Sequence, residues 1–179
     1  MNQKKRELIE SLVEIIRFEL SIPCPIEDID SLVNLLGGEL VLINDPLLLD
    51  GRVYKLDNDE GCKFRIEINK DTSKNRKKFT VAHELGHLFM HMGYIFNSEV
   101  WEQQKTGDCY LRSGYSEKEY EANEFAAALL MPKAELSKYI DALEGPEVNL
   151  SEVADHFNVS ALAAFNRCKF LDLIDSGDN

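Results

Sequence analysis

The stretch Phe79-Thr80-Val81-Ala82-His83-Glu84-Leu85-Gly86-His87 contains H-E-x-x-H, and this spacing restricts what the chain can become more than any other feature. On an α-helix, residues four apart share a face, so His83 and His87 can aim two imidazole nitrogens at one metal ion. Glu84 lies one position round. From there its carboxylate can serve as general base toward a water at that ion, while the ion lowers the water's pKa and polarises a peptide carbonyl. The motif therefore predicts the chemistry of a zinc peptidase. The flanking residues predict one helix from Asn75 to Met92, with Ser73 as N-cap and Gly93 as stop. Val81, Ala82, Leu85, Leu88, Phe89 and Met90 cover most of its circumference, so the helix is expected to be buried, and buried His and Glu need partners. Gly86 costs a helix interior ~0.5–1 kcal/mol relative to alanine, which predicts close approach by another backbone.

A catalytic zinc takes three protein ligands and keeps one position open, so one ligand remains to be found. A second helix, Ser116 to Leu130, carries Glu117, Glu119, Glu121 and Glu124 beside an apolar stripe of Ala122, Phe125, Ala126 and Leu129. Glu119 and Glu121 flank that stripe at similar angles, and geometry alone leaves both open. Asn123 favours Glu119, because it lies four residues on, on the same face, where it can hydrogen-bond a ligand histidine. The competing reading makes Glu119 a capping-box residue paired with Ser116. His91 sits one further step of four beyond His87. Each such step turns the face by about 40° and climbs ~6 Å, so His91 is expected to be structural or substrate-facing, not a ligand. Tyr94 is a possible oxyanion donor, weighed against an ordinary loop tyrosine.

Two blocks carry a family resemblance. Arg76-Lys77-Lys78-Phe79-Thr80-Val81-Ala82-His83-Glu84-Leu85-Gly86-His87-Leu88-Phe89-Met90-His91, followed by Glu119-Tyr120-Glu121-Ala122-Asn123-Glu124-Phe125-Ala126-Ala127-Ala128-Leu129-Leu130-Met131-Pro132, closely resembles the ImmA/IrrE family of metallopeptidases. The resemblance runs from about Pro25 onward and leaves the first helix unmatched. It implies a gluzincin-like zinc site of His83, His87 and an acidic ligand from the Glu-x-Glu-Ala-Asn block, with Glu84 as base. It also implies a role, since family members cleave or otherwise inactivate helix-turn-helix repressors of mobile elements or stress regulons. The expected function is thus a zinc-dependent, site-specific endopeptidase with a repressor as protein substrate. The alternative is a non-catalytic anti-repressor or binding module that keeps a structural zinc.

The remaining sequence predicts an α+β fold in one metallopeptidase domain over residues 1–179, comprising an N-terminal helix (1–22), a catalytic core (25–132) and a C-terminal helical subdomain (133–179). Leu8, Leu12, Ile15, Ile16 and Leu20 recur at helical spacing, and a second helix is expected over Glu27 to Leu36. Strands are expected at Leu40–Ile43, Arg52–Leu56 and Lys63–Asn69, forming a small, mainly antiparallel sheet packed on the metal helix. In the last strand Phe64, Ile66 and Ile68 alternate with Arg65 and Glu67, predicting one buried and one wet face. That strand is also expected to be an exposed edge on which an extended substrate could add. Gly93 to Tyr115, with the sole tryptophan Trp101, reads as a long irregular stretch and a candidate lid.

Leu150 to Phe170 has a helix-turn-helix rhythm with Val159-Ser160 at the turn. Charge opposes DNA reading there: from Glu147 onward six acidic residues face two basic ones, and the whole chain carries a net charge of −12. The basic run from Lys70 to Lys78 is expected to be a solvated helix start. No apolar run approaches the ~20 residues that span a membrane, and four scattered cysteines suit reduced thiols, so a cytoplasmic protein is expected.

Overall fold

The computed structural model describes residues 2–45, 48, 50–57, 61–107, 116–143 and 148–174. Helices α1 (Gln3–Glu19) and α2 (Ile29–Leu35) precede strands β1 (Gly38–Ile43), β2 (Gly51–Lys55) and β3 (Phe64–Asn69). Helix α3 (Lys74–Gly86) then runs into a π-helical turn, His87–His91. After it come α4 (Ser98–Gln103), α5 (Glu117–Leu130), α6 (Lys133–Asp141), α7 (Leu150–Phe157) and α8 (Ala161–Phe170), completing the expected α+β architecture. Local chemistry starts most of these helices. Asn2, Asp28, Asn97, Ser116, Asn149 and Ser160 each accept a first-turn backbone N–H with a side-chain oxygen. Ser73 has the extended backbone of an N-cap but makes no such side-chain bond.

The three strands form one mixed sheet in the order β1-β3-β2. β1 runs parallel to β3, with Gly38 opposite Phe64, and β2 runs antiparallel to it, with Lys55 opposite Phe64. The expectation that the Lys63–Asn69 strand is an exposed edge is therefore corrected: β3 is central, and among the described residues β1 and β2 are the outer strands. Alternation specifies which side chains turn inward but carries no information on strand order. The inward set, Phe64, Ile66 and Ile68 with Val53, is fully buried. The opposite face is knitted by polar pairs: Arg52 Nε donates to Glu67 at 2.7 Å, the Tyr54 hydroxyl to Glu67 at 2.6 Å, and Arg65 to Glu39 at 2.6 Å.

Helices α3 and α5 cross at Gly86. A Cβ there would stand 3.1 Å from the Ala122 Cα and 3.2 Å from the Ala122 carbonyl oxygen, which is the close backbone approach that a mid-helix glycine foretold. Helix α1 buries Ile9, Val13 and Ile16, and Arg17 Nη1 donates to the Leu129 carbonyl of α5 at 2.7 Å. Fully buried Arg167 of α8 pairs with Glu10 of α1 and donates to the Met131 carbonyl just beyond α5 at 3.1 Å, so one side chain ties α1, α5 and α8 together.

Several expectations are refined by this packing. The Lys70–Lys78 run is not merely solvated, because Arg76 pairs with Asp50 at 2.6 Å, Lys77 pairs with Asp30 at 2.8 Å, and Lys78 is buried. The stretch from Gly93 is not irregular throughout: it holds α4, and Trp101 packs edge-on against Tyr94 at 4.8 Å. Residues 108–115, the rest of the proposed lid, lie outside the described residues. Helices α7 and α8 take the expected paired form, with Asn158 in the left-handed conformation at the turn. Among the described residues, no helix is long and apolar enough to cross a membrane.

Candidate metal centre

His83 and His87 project from the buried side of α3, four residues apart, each 1% exposed. Their Nε2 atoms stand 3.0 Å apart. Glu119, in the first turn of α5, brings one carboxylate oxygen to 3.3 Å from His83 Nε2 and the other to 3.2 Å from His87 Nε2. Ligands at ~2.0–2.1 Å from a tetrahedral ion are separated by roughly 3.3 Å, so these spacings match the edges of a zinc-sized polyhedron. Among the described residues, His83, His87 and Glu119 are the one group of such side chains whose donor atoms gather closely enough to hold a metal ion.

The surrounding hydrogen bonds decide which ring nitrogens carry protons. Asn123 Oδ1 lies 2.9 Å from His83 Nδ1, as its placement four residues after Glu119 predicted. An amide oxygen only accepts, so His83 Nδ1 bears the hydrogen and Nε2 keeps its lone pair. His87 Nδ1 is 2.8 Å from His91 Nδ1, and His91 Nε2 is 3.0 Å from Glu121 Oε2. Burial holds His91 below its ordinary pKa, against the opposing pull of Glu121, and thus favours the neutral ring. Burial alone would raise the Glu121 carboxyl, but hydrogen bonds from Lys5 and His91 bring it below its ordinary value. A carboxylate only accepts. The contact with Glu121 puts a hydrogen on His91 Nε2; a neutral His91 then accepts through Nδ1, which places the His87 hydrogen on Nδ1 and the lone pair on Nε2. Two imidazole lone pairs and a carboxylate then converge, a donor set whose mutual repulsion a cation relieves.

The other expected residues fall into distinct places. Glu84 follows His83 on α3 and is 1% exposed. Glu119 meets the capping expectation through its backbone, whose N–H donates to Ser116 Oγ at 3.3 Å, while its carboxylate turns to the histidines. Glu121 faces the other flank of α5, toward His91 and Lys5. The Tyr94 hydroxyl, weighed as an oxyanion donor, instead donates to the buried Leu36 carbonyl at 2.6 Å. Its ring packs on Phe64, Phe89 and Trp101, so it is a core residue. Lys5 had no local signal in the sequence, since nothing in its own helix announces a partner on α5. Beside Asn123 a cleft of about 380 Å³ opens between α5 and α8, lined by Phe79, Asn123, Glu124, Ala127, Leu162 and Phe170.

A short mixed sheet beside a helix that turns two histidines toward a carboxylate on a neighbouring helix defines a metallopeptidase-like class. The profile of the IrrE N-terminal-like domain, peptidase family M78, matches residues 39–169, and the chain belongs to this family. A solved Mycobacterium tuberculosis transcriptional regulator has a similar fold at a TM-score of 0.59 and 16% sequence identity. That match covers 90% of this chain and 46% of the regulator, so the chain spans less than half of that protein's length. No curated protein matches the chain.

Proposed function

We propose that the chain is a zinc-dependent, site-specific endopeptidase acting on a protein, with a helix-turn-helix transcriptional repressor of a mobile element or stress regulon as substrate. The observation that carries the reading is the convergence of His83 Nε2, His87 Nε2 and the Glu119 carboxylate, with Asn123 and His91 orienting the two rings from outside. These three side chains would hold zinc. When bound, zinc lowers the pKa of a water molecule and polarises the scissile carbonyl. Glu84, adjacent to His83, accepts the proton of the attacking water and passes it to the leaving amine. Asn123 keeps the His83 ring turned inward, and the cleft beside it receives a substrate side chain. The family membership and the chain's net charge of −12 favour a protein partner over nucleic acid, and a cytoplasmic setting follows from a repressor substrate.

Elemental analysis and a cleavage assay on a repressor encoded beside this gene test the reading together. The expected result is one zinc per chain, lost in Glu119→Ala. Glu84→Gln is expected to keep zinc and fold yet abolish cleavage, because an amide preserves size but cannot take the proton. Loss of metal in Glu121→Ala with retention in Glu119→Ala would overturn the ligand choice. Relief of repression that persists in Glu84→Gln would reassign the chain to an anti-repressor acting by binding.

A further inference from the structure

Outside the three ligands, the π-helical turn places His91 against His87, although on an ideal α-helix the two would diverge by about 40°. A π turn takes in an extra residue and so swings the following side chains. The ring of His91 thereby lies 5.0 Å from that of His87, centroid to centroid, with Nδ1 facing Nδ1 at 2.8 Å. Beyond it, His91 Nε2 meets Glu121 Oε2 at 3.0 Å, and the other Glu121 oxygen pairs with Lys5 Nζ. Lys5 also reaches Glu117 at 3.0 Å. It stands in the first turn of α1, ahead of the segment 39–169 that the family shares.

We propose that Lys5, Glu121 and His91 form a positioning chain that holds His87 in its Nδ1–H tautomer, with the Nε2 lone pair turned toward Glu119, so that α1 helps to set metal affinity. The proposal rests on the zinc site described above and deepens it. Its logic is directional. Lys5 can only donate, which commits one Glu121 oxygen; the other accepts from His91 Nε2; His91 Nδ1 is left to accept from His87. If the chain is removed at any point, His87 is free to place its hydrogen on Nε2, where it blocks the metal. Outer hydrogen-bond partners of ligating histidines are worth about 10–100-fold in metal affinity, and His91 is the partner of that kind for His87.

The test measures zinc affinity by competition with a chelator, together with the ring-nitrogen protonation of His87 by 15N NMR on the metal-free protein. His91→Phe is expected to weaken zinc binding by about 10–100-fold, and His91→Gln, which can both accept from His87 and donate to Glu121, to restore most of it. Lys5→Met changes no buried side chain and is expected to weaken binding severalfold. In the wild-type metal-free protein His87 is expected to carry its hydrogen on Nδ1. Wild-type zinc affinity in both His91→Phe and Lys5→Met, or a wild-type His87 protonated at Nε2, would overturn the proposal. A wild-type chain that takes up no zinc would refute the peptidase reading instead, and the tautomer measurement would still decide the role of the chain.

Discussion

Replacing Gly86 with alanine sets two opposing effects against each other at the crossing of α3 and α5. Alanine is favoured over glycine inside a helix by about 1 kcal/mol, so in an isolated helix the change would stabilise. Here the new methyl would sit 3.1 Å from the Ala122 Cα, 3.1 Å from the Phe125 Cβ and 3.2 Å from the Ala122 oxygen. Two of these atoms belong to backbone, which cannot swing aside, so α5 must retreat by a few tenths of an ångström. Overpacking of this kind costs about 1–3 kcal/mol, which leaves a net destabilisation of roughly 0–2 kcal/mol. In a chain of this length that lowers the melting temperature by up to roughly 8 °C. The larger consequence concerns the metal. Glu119 lies one turn before Ala122 on α5, whereas His83 and His87 ride on α3, so the retreat opens the ligand set. Ligand geometry tolerates only about 0.2 Å, and a loss of about tenfold in zinc affinity, ~1.4 kcal/mol, is expected. Thermal melts of metal-free and zinc-loaded protein, with chelator competition, measure both parts. A metal-free Gly86→Ala that melts higher than wild type and binds zinc equally well would refute the reasoning.

Two further outcomes follow from groups buried away from the metal. Burial pushes Lys78 below its ordinary pKa of 10.5, with Lys74 adding to the fall, and its amine has no hydrogen-bond partner among the described residues. The unfolded chain therefore binds that proton more tightly, so wild-type stability should rise with pH up to about 10.5; denaturant titrations should find Lys78→Met more stable at neutral pH and lacking this rise. Tyr94→Phe should cost about 1–3 kcal/mol by orphaning the buried Leu36 carbonyl, yet leave zinc content and cleavage intact; a selective loss of turnover in that variant would restore the oxyanion role.

The parts of the fold that were legible are those written in one segment. The Ser116 cap, the alternation of Phe64, Ile66 and Ile68, and the stop at Pro132 each act within a few residues of the backbone they direct. Strand order was not legible, because β3 pairs with β1 across twenty intervening residues in parallel and with β2 across eight in antiparallel, and alternation serves an edge and a centre equally well. Glu67 shows the same limit. Its position in the alternation predicts a wet face, yet Arg52 and Tyr54 from the neighbouring strand cover it to 7% exposure. The π turn was hidden for a related reason, since the apolar run Leu88-Phe89-Met90 is compatible with either helical winding.

At the site, the two flanks of one helix point to different histidines. Glu119 and Glu121 are two residues apart, about 200° round an α-helix, so they cannot both face α3. Asn123 shares the face of Glu119 and stands 2.9 Å from His83 Nδ1, the contact that favouring Glu119 relied on. What no spacing could supply is where the other flank of α5 points, because that depends on how α1 lies along it and how the π turn carries His91 over. Both acids then meet a histidine, Glu119 as part of the converging set and Glu121 through His91 from behind. One helix thus bears on His87 twice, directly through Glu119 and indirectly through Glu121 and His91. A shift of α5 disturbs the carboxylate in front of His87 and the hydrogen-bond partner behind it at once, so the tight crossing at Gly86 controls two contacts of the same ring.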